Sequence, residues 1–161
     1  MAVYFIADRR NSLVKIGVSN DRERRIKQLQ TGNPFKLEFM GWIEEDNDHF
    51  QIEKKLHQKY SDKRVNGEWF EINQDDVIHE LTLYHGFVPK NEDAFKVIGY
   101  DRDGIPEYLG VWDWQEFELE QCCPFCGCLC GMHYQEASMM FYCMNCDTLT
   151  NFEDEPDSEV F

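Results

Sequence analysis

The chain has 161 residues, of which 42% are hydrophobic and 14% aromatic, and its formal net charge at pH 7 is −15. This composition excludes an intrinsically disordered chain, because such chains have too few apolar residues to form a core. No stretch approaches the roughly 20 apolar residues that span a bilayer, and no cationic leader precedes an apolar run, so we expect a soluble, cytoplasmic protein.

The negative charge is concentrated in the second half. Residues 1–88 hold 13 Lys and Arg against 15 Asp and Glu, a net of −2, whereas residues 89–161 hold 3 against 16, a net of −13. Phosphate binding depends on Lys and Arg. We therefore expect any nucleic-acid surface in the first half.

The first half begins with a predicted hairpin and helix. Residues 3–7 and 13–18 are rich in β-branched and aromatic residues and flank a polar turn, which predicts two paired strands. Capping residues at 19–21, followed by Ile26 and Leu29 at helical spacing, predict a helix. The Gly and Pro of QTGNP end it.

Two further strands and two further helices are predicted before residue 88. Strands are predicted at 36–43 and 67–72, and helices at 46–60 and from the Asp-Asp pair at 75–76 to a closing glycine. The apolar stripe expected on the second helix consists of Phe50, Ile52, Leu56 and Tyr60.

We expect an α/β (α+β) protein in four parts. Residues 1–88 form a small, mainly antiparallel sheet flanked by helices. Residues 94–120 form a β-hairpin connector around an Asp-Gly dipeptide, which favours a tight turn. Residues 121–152 form a zinc ribbon, and residues 153–161 form an acidic, flexible tail.

All seven cysteines lie between positions 122 and 146, and two C-x₂-C pairs are separated by sixteen residues. This clustering favours a metal over a disulfide scaffold, and the spacing is typical of a four-cysteine zinc site. Zinc with four sulfur ligands has no open position, so we expect a structural ion. The predicted ligands are Cys123, Cys126, Cys143 and Cys146. Cys128 or Cys130 is an alternative to Cys126, Cys122 adds ambiguity, and a redox pair is less favoured.

Motifs in the first half resemble the GIY-YIG nuclease superfamily. Tyr4 in VYF, the KIG at 15–17, Arg25 in RERRIKQLQTGNP and Glu53 in FQIEKKLHQKY follow its order and spacing along a β-β-α-β-α-β-α pattern. The segment KRVNGEWFEI at 63–72 resembles the closing signature of a phage-associated branch, in which the second motif often contains Lys-Ile-Gly. The resemblance covers roughly the first half of the chain.

The resemblance implies a metal-dependent endonuclease that hydrolyses phosphodiester bonds of nucleic acid, with DNA expected. Tyr4 would accept or relay a proton. Lys15, which replaces the second tyrosine of the family, and Arg25 would stabilise the phosphate charge. Glu53 would bind Mg²⁺ or Mn²⁺, with Glu68 as the less favoured ligand.

A histidine follows the predicted metal ligand by one helical turn. We expect His57 to relay a proton or bind a water molecule, because it lies on the same helix face as Glu53. Leu29 occupies a position at which some members of the superfamily carry histidine. A phage-associated branch implies a viral or bacterial source, with the host cytoplasm as the location of a viral protein.

Two other functions fit the same sequence. One is a catalytically inactive scaffold that acts as an adaptor or inhibitor, with a protein partner bound by the acidic zinc-ribbon half. Residues 122–152 contain no Lys or Arg, which favours a protein contact over DNA there. The other is a zinc-dependent nucleic-acid binder without hydrolysis. Only hydrolysis requires a divalent ion at Glu53, so Glu53→Ala separates nuclease from adaptor.

Overall fold

The computed structural model describes residues 1–45, 47–89, 96–100, 102–104, 106–108 and 121–150. They belong to two compact units, Met1–Pro89 and Lys90–Phe161. The mixed α+β class expected from the sequence is confirmed, with an antiparallel sheet and three helices in the first unit and a cysteine cluster in the second. No helix in the described part of the chain has both the length and the apolar character needed to cross a membrane.

A five-stranded antiparallel sheet forms the centre of the first unit. Its strands are β1 (Ala2–Asp8), β2 (Leu13–Ser19), β3 (Glu38–Glu44), β4 (Arg64–Asn66) and β5 (Trp69–Phe70). The spatial order is β3-β1-β2-β5-β4, so the predicted first hairpin lies in the middle. The sequence did not predict β4 as a strand, because all three of its residues are exposed and show no apolar alternation.

Three helices flank this sheet: α1 (Arg22–Thr31), α2 (His49–Lys59) and α3 (Gln74–Leu83). The predicted cap of α1 is confirmed, since the Asp21 carboxylate accepts a hydrogen bond of 3.1 Å from the Arg24 backbone N–H. α3 begins one residue before its two aspartates, because Asn73 and Asp76 form a capping box there.

The middle of the sheet is covered on both faces. Every residue of β1 is buried. α1 packs against a cluster that contains Tyr4 and Ile6, and α2 contacts β1 and β2 and buries Ile52 and Leu56. The prediction that Phe50 belongs to this buried stripe is wrong, because its side chain is 61% exposed. Residues two apart on a helix do not share a face, so burial of Ile52 turns Phe50 away from the core.

Two smaller sheets lie in the described part of the second unit. β6 (Val97–Tyr100) and β7 (Pro106–Tyr108) pair antiparallel on either side of Gly104, whose φ of +77° suits a tight turn. β8 (Met132–Gln135), β9 (Met140–Cys143) and β10 (Leu149–Thr150) form the other sheet in the order β10-β9-β8. The rest of the predicted connector and the predicted tail at 153–161 lie outside the described residues.

Candidate functional site

Tyr4 and Gly17 lie directly opposite each other on β1 and β2. A Cβ atom at Gly17 would lie only 2.6 Å from Cζ of Tyr4, so the glycine leaves the space that the tyrosine ring occupies. The ring is only 1% exposed. The close approach of these two residues explains why a tyrosine on one strand accompanies a glycine on the next.

Arg25 on α1 contacts this tyrosine. Its Nε donates a hydrogen bond of 3.3 Å to the Tyr4 hydroxyl oxygen. This hydrogen bond, together with attraction from Glu68, raises the pKa of Arg25 above its ordinary value, despite an opposing contribution from burial. The site therefore favours the charged form of Arg25.

Lys15 lies on β2, opposite Trp69 of β5. Its Nζ lies 2.9 Å from Oε2 of Glu68 and 5.7 Å from the centroid of the Trp69 ring. The lysine side chain is only 9% exposed, so its ammonium group is held by these contacts instead of by bulk water. The GEWF segment thus supplies both the counterion and the aromatic wall for Lys15.

Glu53 and His57 lie one turn apart on α2. Nε2 of His57 donates a hydrogen bond of 2.9 Å to the Ile16 carbonyl oxygen and lies 3.8 Å from Oε1 of Glu53. The bond to a carbonyl fixes the proton on Nε2, since a carbonyl only accepts. The Phe70 ring packs against the imidazole with centroids 5.2 Å apart. His57 therefore anchors α2 to the centre of the KIG motif.

Glu53 titrates above the ordinary range. Burial raises its pKa, and the charge of Glu68 and a hydrogen bond with that residue raise it further, while His57 and Lys15 oppose the shift. Its side chain is 17% exposed. Two carboxylates that share a hydrogen bond in a partly buried site bind a proton, or another cation, more tightly than an isolated carboxylate does.

Glu68 joins the two halves of this cluster. It contacts Lys15 directly, hydrogen-bonds with Glu53 and attracts Arg25. Sequence reasoning ranked Glu68 behind Glu53 and gave no role to Trp69. Neither role has a signal in the sequence, because both depend on the pairing of β5 with β2, which places Trp69 opposite Lys15 and Glu68 next to that pair.

A groove of about 610 Å³ opens beside these carboxylates. Residues of α2 and of the segment from the 3₁₀ turn (Ser61–Lys63) to the start of β5 line it. The lining residues are Phe50, Glu53, Lys54, His57, Gln58, Ser61, Arg64, Gly67 and Glu68. Both acidic residues and the predicted histidine therefore border one open space.

The cysteines in the second unit form a four-sulfur cluster. The Sγ atoms of Cys123, Cys126, Cys143 and Cys146 all lie within 4.8 Å of one another. Two of these distances are 3.8 Å, for Cys123 and Cys146, and 3.7 Å, for Cys126 and Cys143. Four sulfurs at about 2.3 Å from a tetrahedral zinc ion lie about 3.8 Å apart. The cluster therefore has the dimensions of a zinc site.

The same turn follows the first cysteine of each pair. The Gly127 N–H donates to the Cys123 carbonyl at 3.0 Å, and the Asp147 N–H donates to the Cys143 carbonyl at 3.0 Å. Gly127 has a φ of +76° and Asp147 a φ of +58°. Glycine adopts this region freely and aspartate more readily than most residues. The repeated turn directs two sulfurs of each pair to the same point.

A second repeated hydrogen bond separates Cys128 from the cluster. The Cys123 N–H donates to the Cys128 carbonyl at 3.0 Å, and the Cys143 N–H donates to the Thr148 carbonyl at 3.1 Å. Cys128 thus occupies the position that Thr148 occupies in the second turn. Among the described residues, the close group contains Cys126 in preference to the alternatives left open by the sequence.

Hydrogen bonds among the four thiols shift their pKa values in opposite directions. Hydrogen bonds from Cys123 and Cys126 lower the pKa of Cys143 to about 6, and similar bonds lower the pKa of Cys146. The hydrogen bond with Cys126 raises the pKa of Cys123 in return. A divalent metal supplies the positive charge that allows all four to be thiolates. The cluster can therefore hold a zinc ion.

Together, the fold and the cluster define a mixed α+β protein with a sheet domain and a separate candidate metal centre. Residues 1–84 match the family model of the T5orf172 domain, more than half of the 161 residues. The chain therefore belongs to the T5orf172 domain family, a phage-associated family that suggests a nuclease-like or DNA-binding role. Comparisons with curated proteins and with solved structures gave no match.

Proposed function

We propose that residues 1–88 act as an endonuclease of the GIY-YIG type that uses Mg²⁺ or Mn²⁺ to hydrolyse phosphodiester bonds of DNA. The observation that carries this proposal is the meeting of side chains from three other elements at Glu68. Lys15 of β2 forms an ion pair with it, Glu53 of α2 lines the same groove, and the charge of Glu68 contributes to the raised pKa of Arg25 on α1. Membership of the T5orf172 domain family supports nucleic acid as the substrate.

The cationic residues suit a phosphate whose charge grows in the transition state. Arg25 offers planar N–H donors that pair with phosphate oxygens, and Lys15 adds a point charge. Tyr4, fixed by Gly17 and by the Arg25 hydrogen bond, would accept or relay a proton from the attacking water. Nε2 of His57 holds a proton and donates it in the hydrogen bond to the Ile16 carbonyl oxygen. Nδ1 would therefore serve as the relay atom of this histidine.

The two carboxylates fit a hard divalent cation. Mg²⁺ takes oxygen ligands and is usually held by one or two carboxylates, with water and substrate phosphate completing the shell. Burial and the neighbouring Glu68 raise the pKa of Glu53, and a cation held by both residues would relieve that repulsion. When bound, the ion would polarise the phosphate and stabilise the leaving oxygen.

Zinc belongs to a separate, structural role in this proposal. Cys123, Cys126, Cys143 and Cys146 would supply all four ligands, which leaves no position for substrate. The part of the second unit that the structure describes contains only short strands around these cysteines, so we assign the ion to folding.

A cleavage assay with the zinc-loaded full chain tests the nuclease. Supercoiled plasmid, linear duplex, single-stranded DNA and RNA are incubated with Mg²⁺, with Mn²⁺ or with neither. We expect cutting that requires the added ion, and a loss of about 10²–10³-fold in Arg25→Ala and in Glu53→Gln, the effect of removing one charge-stabilising group. Arg24→Ala and Glu71→Gln, which change exposed neighbours outside the cluster, should cut like wild type.

Three results would contradict the proposal. Cutting without an added divalent ion would show that hydrolysis does not need the assigned metal. Cutting that survives Glu53→Gln would move the metal site elsewhere. Absence of cutting on every substrate, from folded and zinc-loaded protein, would favour the second candidate function.

The second candidate is a protein-binding adaptor. Its support is the exposure of Tyr134, Met139 and Met144 in the cysteine module, within a stretch, 122–150, that contains no Lys or Arg. Exposed apolar side chains of this kind mark protein contacts more often than nucleic-acid contacts. Affinity for a captured partner should fall in Met139→Ser with Met144→Ser and should be unchanged in Glu53→Gln; the opposite pattern would exclude the adaptor.

A further inference from the structure

One end of the groove beside the carboxylates carries an aromatic ring. Phe50 is 61% exposed and lines the same groove as Glu53 and Glu68. It precedes Glu53 by one helical turn, about 4.5 Å along the axis of α2. Removing an exposed phenylalanine ring from water is favourable, so this end of the groove favours an occupant with a flat, apolar face.

Two cations line the same groove. Lys54 follows Glu53 on α2 and is exposed. Arg64 lies on β4, across the groove, with its guanidinium carbon 5.3 Å from the centroid of the Phe70 ring. Cations on both walls, beside carboxylates suited to a metal, match the phosphates that flank a scissile bond. The groove therefore combines an aromatic surface with charge complementary to a nucleic-acid backbone.

We infer that this groove binds a strand with an unpaired nucleotide, whose base stacks on Phe50 while Lys54 and Arg64 contact phosphates of the same strand. The inference rests on the proposed function, because it names the form of substrate that the same site takes. A base inside a duplex is already stacked on both faces, so the ring accepts only a base that has left the stack. A volume of about 610 Å³ is large enough for a nucleotide.

Binding to labelled oligonucleotides tests the stacking contact without any cleavage. A fluorescein-labelled single strand, the matching duplex, and the same duplex with a one-nucleotide bulge are titrated by anisotropy, using zinc-loaded full chain and no added magnesium or manganese. We expect Phe50→Ala to weaken binding of the single strand and the bulge about 5- to 150-fold, the range for loss of one base–aromatic stack. Affinity for the duplex should be unchanged.

Two further variants control for the apolar area of Phe50. Leu83→Ala removes a side chain that is also 61% exposed but belongs to α3, outside the groove, and should bind every probe like wild type. Phe50→Leu retains apolar area without a π-face, so it should bind like Phe50→Ala. Wild-type binding by Phe50→Leu, or an equal loss on all three probes, would overturn the inference.

Salt dependence tests the two cations. Lys54→Ala and Arg64→Ala should each reduce the slope of log affinity against log salt for the single strand by about 0.7. Lys55→Ala, the exposed neighbour of Lys54 outside the groove, should leave the slope unchanged. Equal effects of Lys54→Ala and Lys55→Ala would show a diffuse basic surface and would overturn the assigned path of the strand.

The outcome separates this inference from the proposed hydrolysis. If single strands bind in a way that depends on Phe50 but no metal supports cutting, the stacking site is supported and the proposed hydrolysis is contradicted. Cutting that depends on Glu53 and prefers intact duplex, with no effect of Phe50→Ala, would retain the nuclease and overturn the stacking site.

Discussion

The candidate nuclease site and the cysteine cluster are built in opposite ways. In the cysteine cluster, two copies of one local turn place each pair of sulfurs, and only the meeting of the two turns is long-range. In the candidate nuclease site, the neighbours come from distant parts of the chain: Tyr4 meets Arg25, and Lys15 meets Glu68. Local geometry thus determines one site, and the register of the sheet determines the other.

The two sites also differ in how they tolerate the absence of a metal. The raised pKa of Glu53 lets this carboxyl hold a proton, and Lys15 pairs with Glu68 at 2.9 Å. Four thiols at the observed separations have no such counterion in the cluster and depend on a bound cation to become thiolates together. The sheet unit should therefore fold without any metal, whereas the cysteine unit should require zinc.

Loss of one cluster cysteine should give the largest effect. We expect Cys143→Ala to release zinc and unfold residues 121–150, because binding of structural zinc, about 10–16 kcal/mol in small modules, is also the folding free energy. Residues 1–89 should remain folded. Zinc stoichiometry and amide NMR dispersion measure the two effects.

The matched control is Cys130→Ala, since Cys130 lies outside the four-sulfur group. It should keep one zinc ion per chain and the dispersion of the amide signals. Loss of zinc in this variant would show that the ligand set is wrong. Unfolding of residues 1–89 in Cys143→Ala would show that the sheet unit depends on the metal as well.

Filling the space at Gly17 should give the second largest effect, a lower free energy of unfolding. The added methyl of Gly17→Ala would meet the Tyr4 ring at 2.6 Å, and a buried ring between two strands cannot move freely. Overpacking of this kind costs roughly 1–3 kcal/mol, measurable as a lower urea midpoint with an unchanged slope. Any cleavage activity should fall as well, because displacement of Tyr4 breaks its bond to Arg25.

Gly32→Ala controls for the loss of a glycine. The nearest atom to its added Cβ is 4.0 Å away, and its φ of −90° suits any residue, so the urea midpoint should not fall. If Gly17→Ala were equally neutral, Tyr4 would have space to relax, and the tight packing assigned to the first hairpin would be wrong.

The same contrast explains what could be predicted from the sequence. The spacing of the two C-x₂-C pairs predicted the cysteine group, because ligands three residues apart share one turn, but only the structure selects Cys126 over Cys128 and Cys130. The first hairpin and the cap of α1 at Asp21 also depend on local chemistry. β4 was missed because its residues are exposed, and Phe50 was misplaced because an aromatic residue beside a helical pattern resembles a core residue.

The connecting role of Glu68 could not be predicted for a different reason. A short exposed segment gives no sequence signal of its partners, and its contact with Lys15 exists only because β5 pairs with β2 in one register. A shift by one residue would place Glu68 on the other face of the sheet. Tertiary register is therefore the information that spacing along the chain lacks.

The smallest effect should come from Glu53→Gln and concerns pH. Burial and Glu68 raise the pKa of Glu53 above 4.5, so the native chain binds this proton more tightly than the unfolded chain. The resulting stability is fully present below pH 4.5 and is lost as the pH rises through the raised native pKa. We expect Glu53→Gln to be more stable than wild type at pH 7, with the difference disappearing below pH 4.5. Glu71→Gln, the control, should not show a stability difference from wild type that disappears below pH 4.5.

Magnesium should stabilise the wild type more than Glu53→Gln at pH 7. A cation held by Glu53 and Glu68 would replace the lost proton, and a ligand at ten times its dissociation constant adds about 1.4 kcal/mol to the free energy of unfolding. The wild type should gain this stability at pH 7, and Glu53→Gln should gain less, because an amide carries no charge. Denaturation of both with and without magnesium measures the difference. Equal gains in stability would show that magnesium does not bind at Glu53, and the metal site proposed for the sheet unit would be wrong.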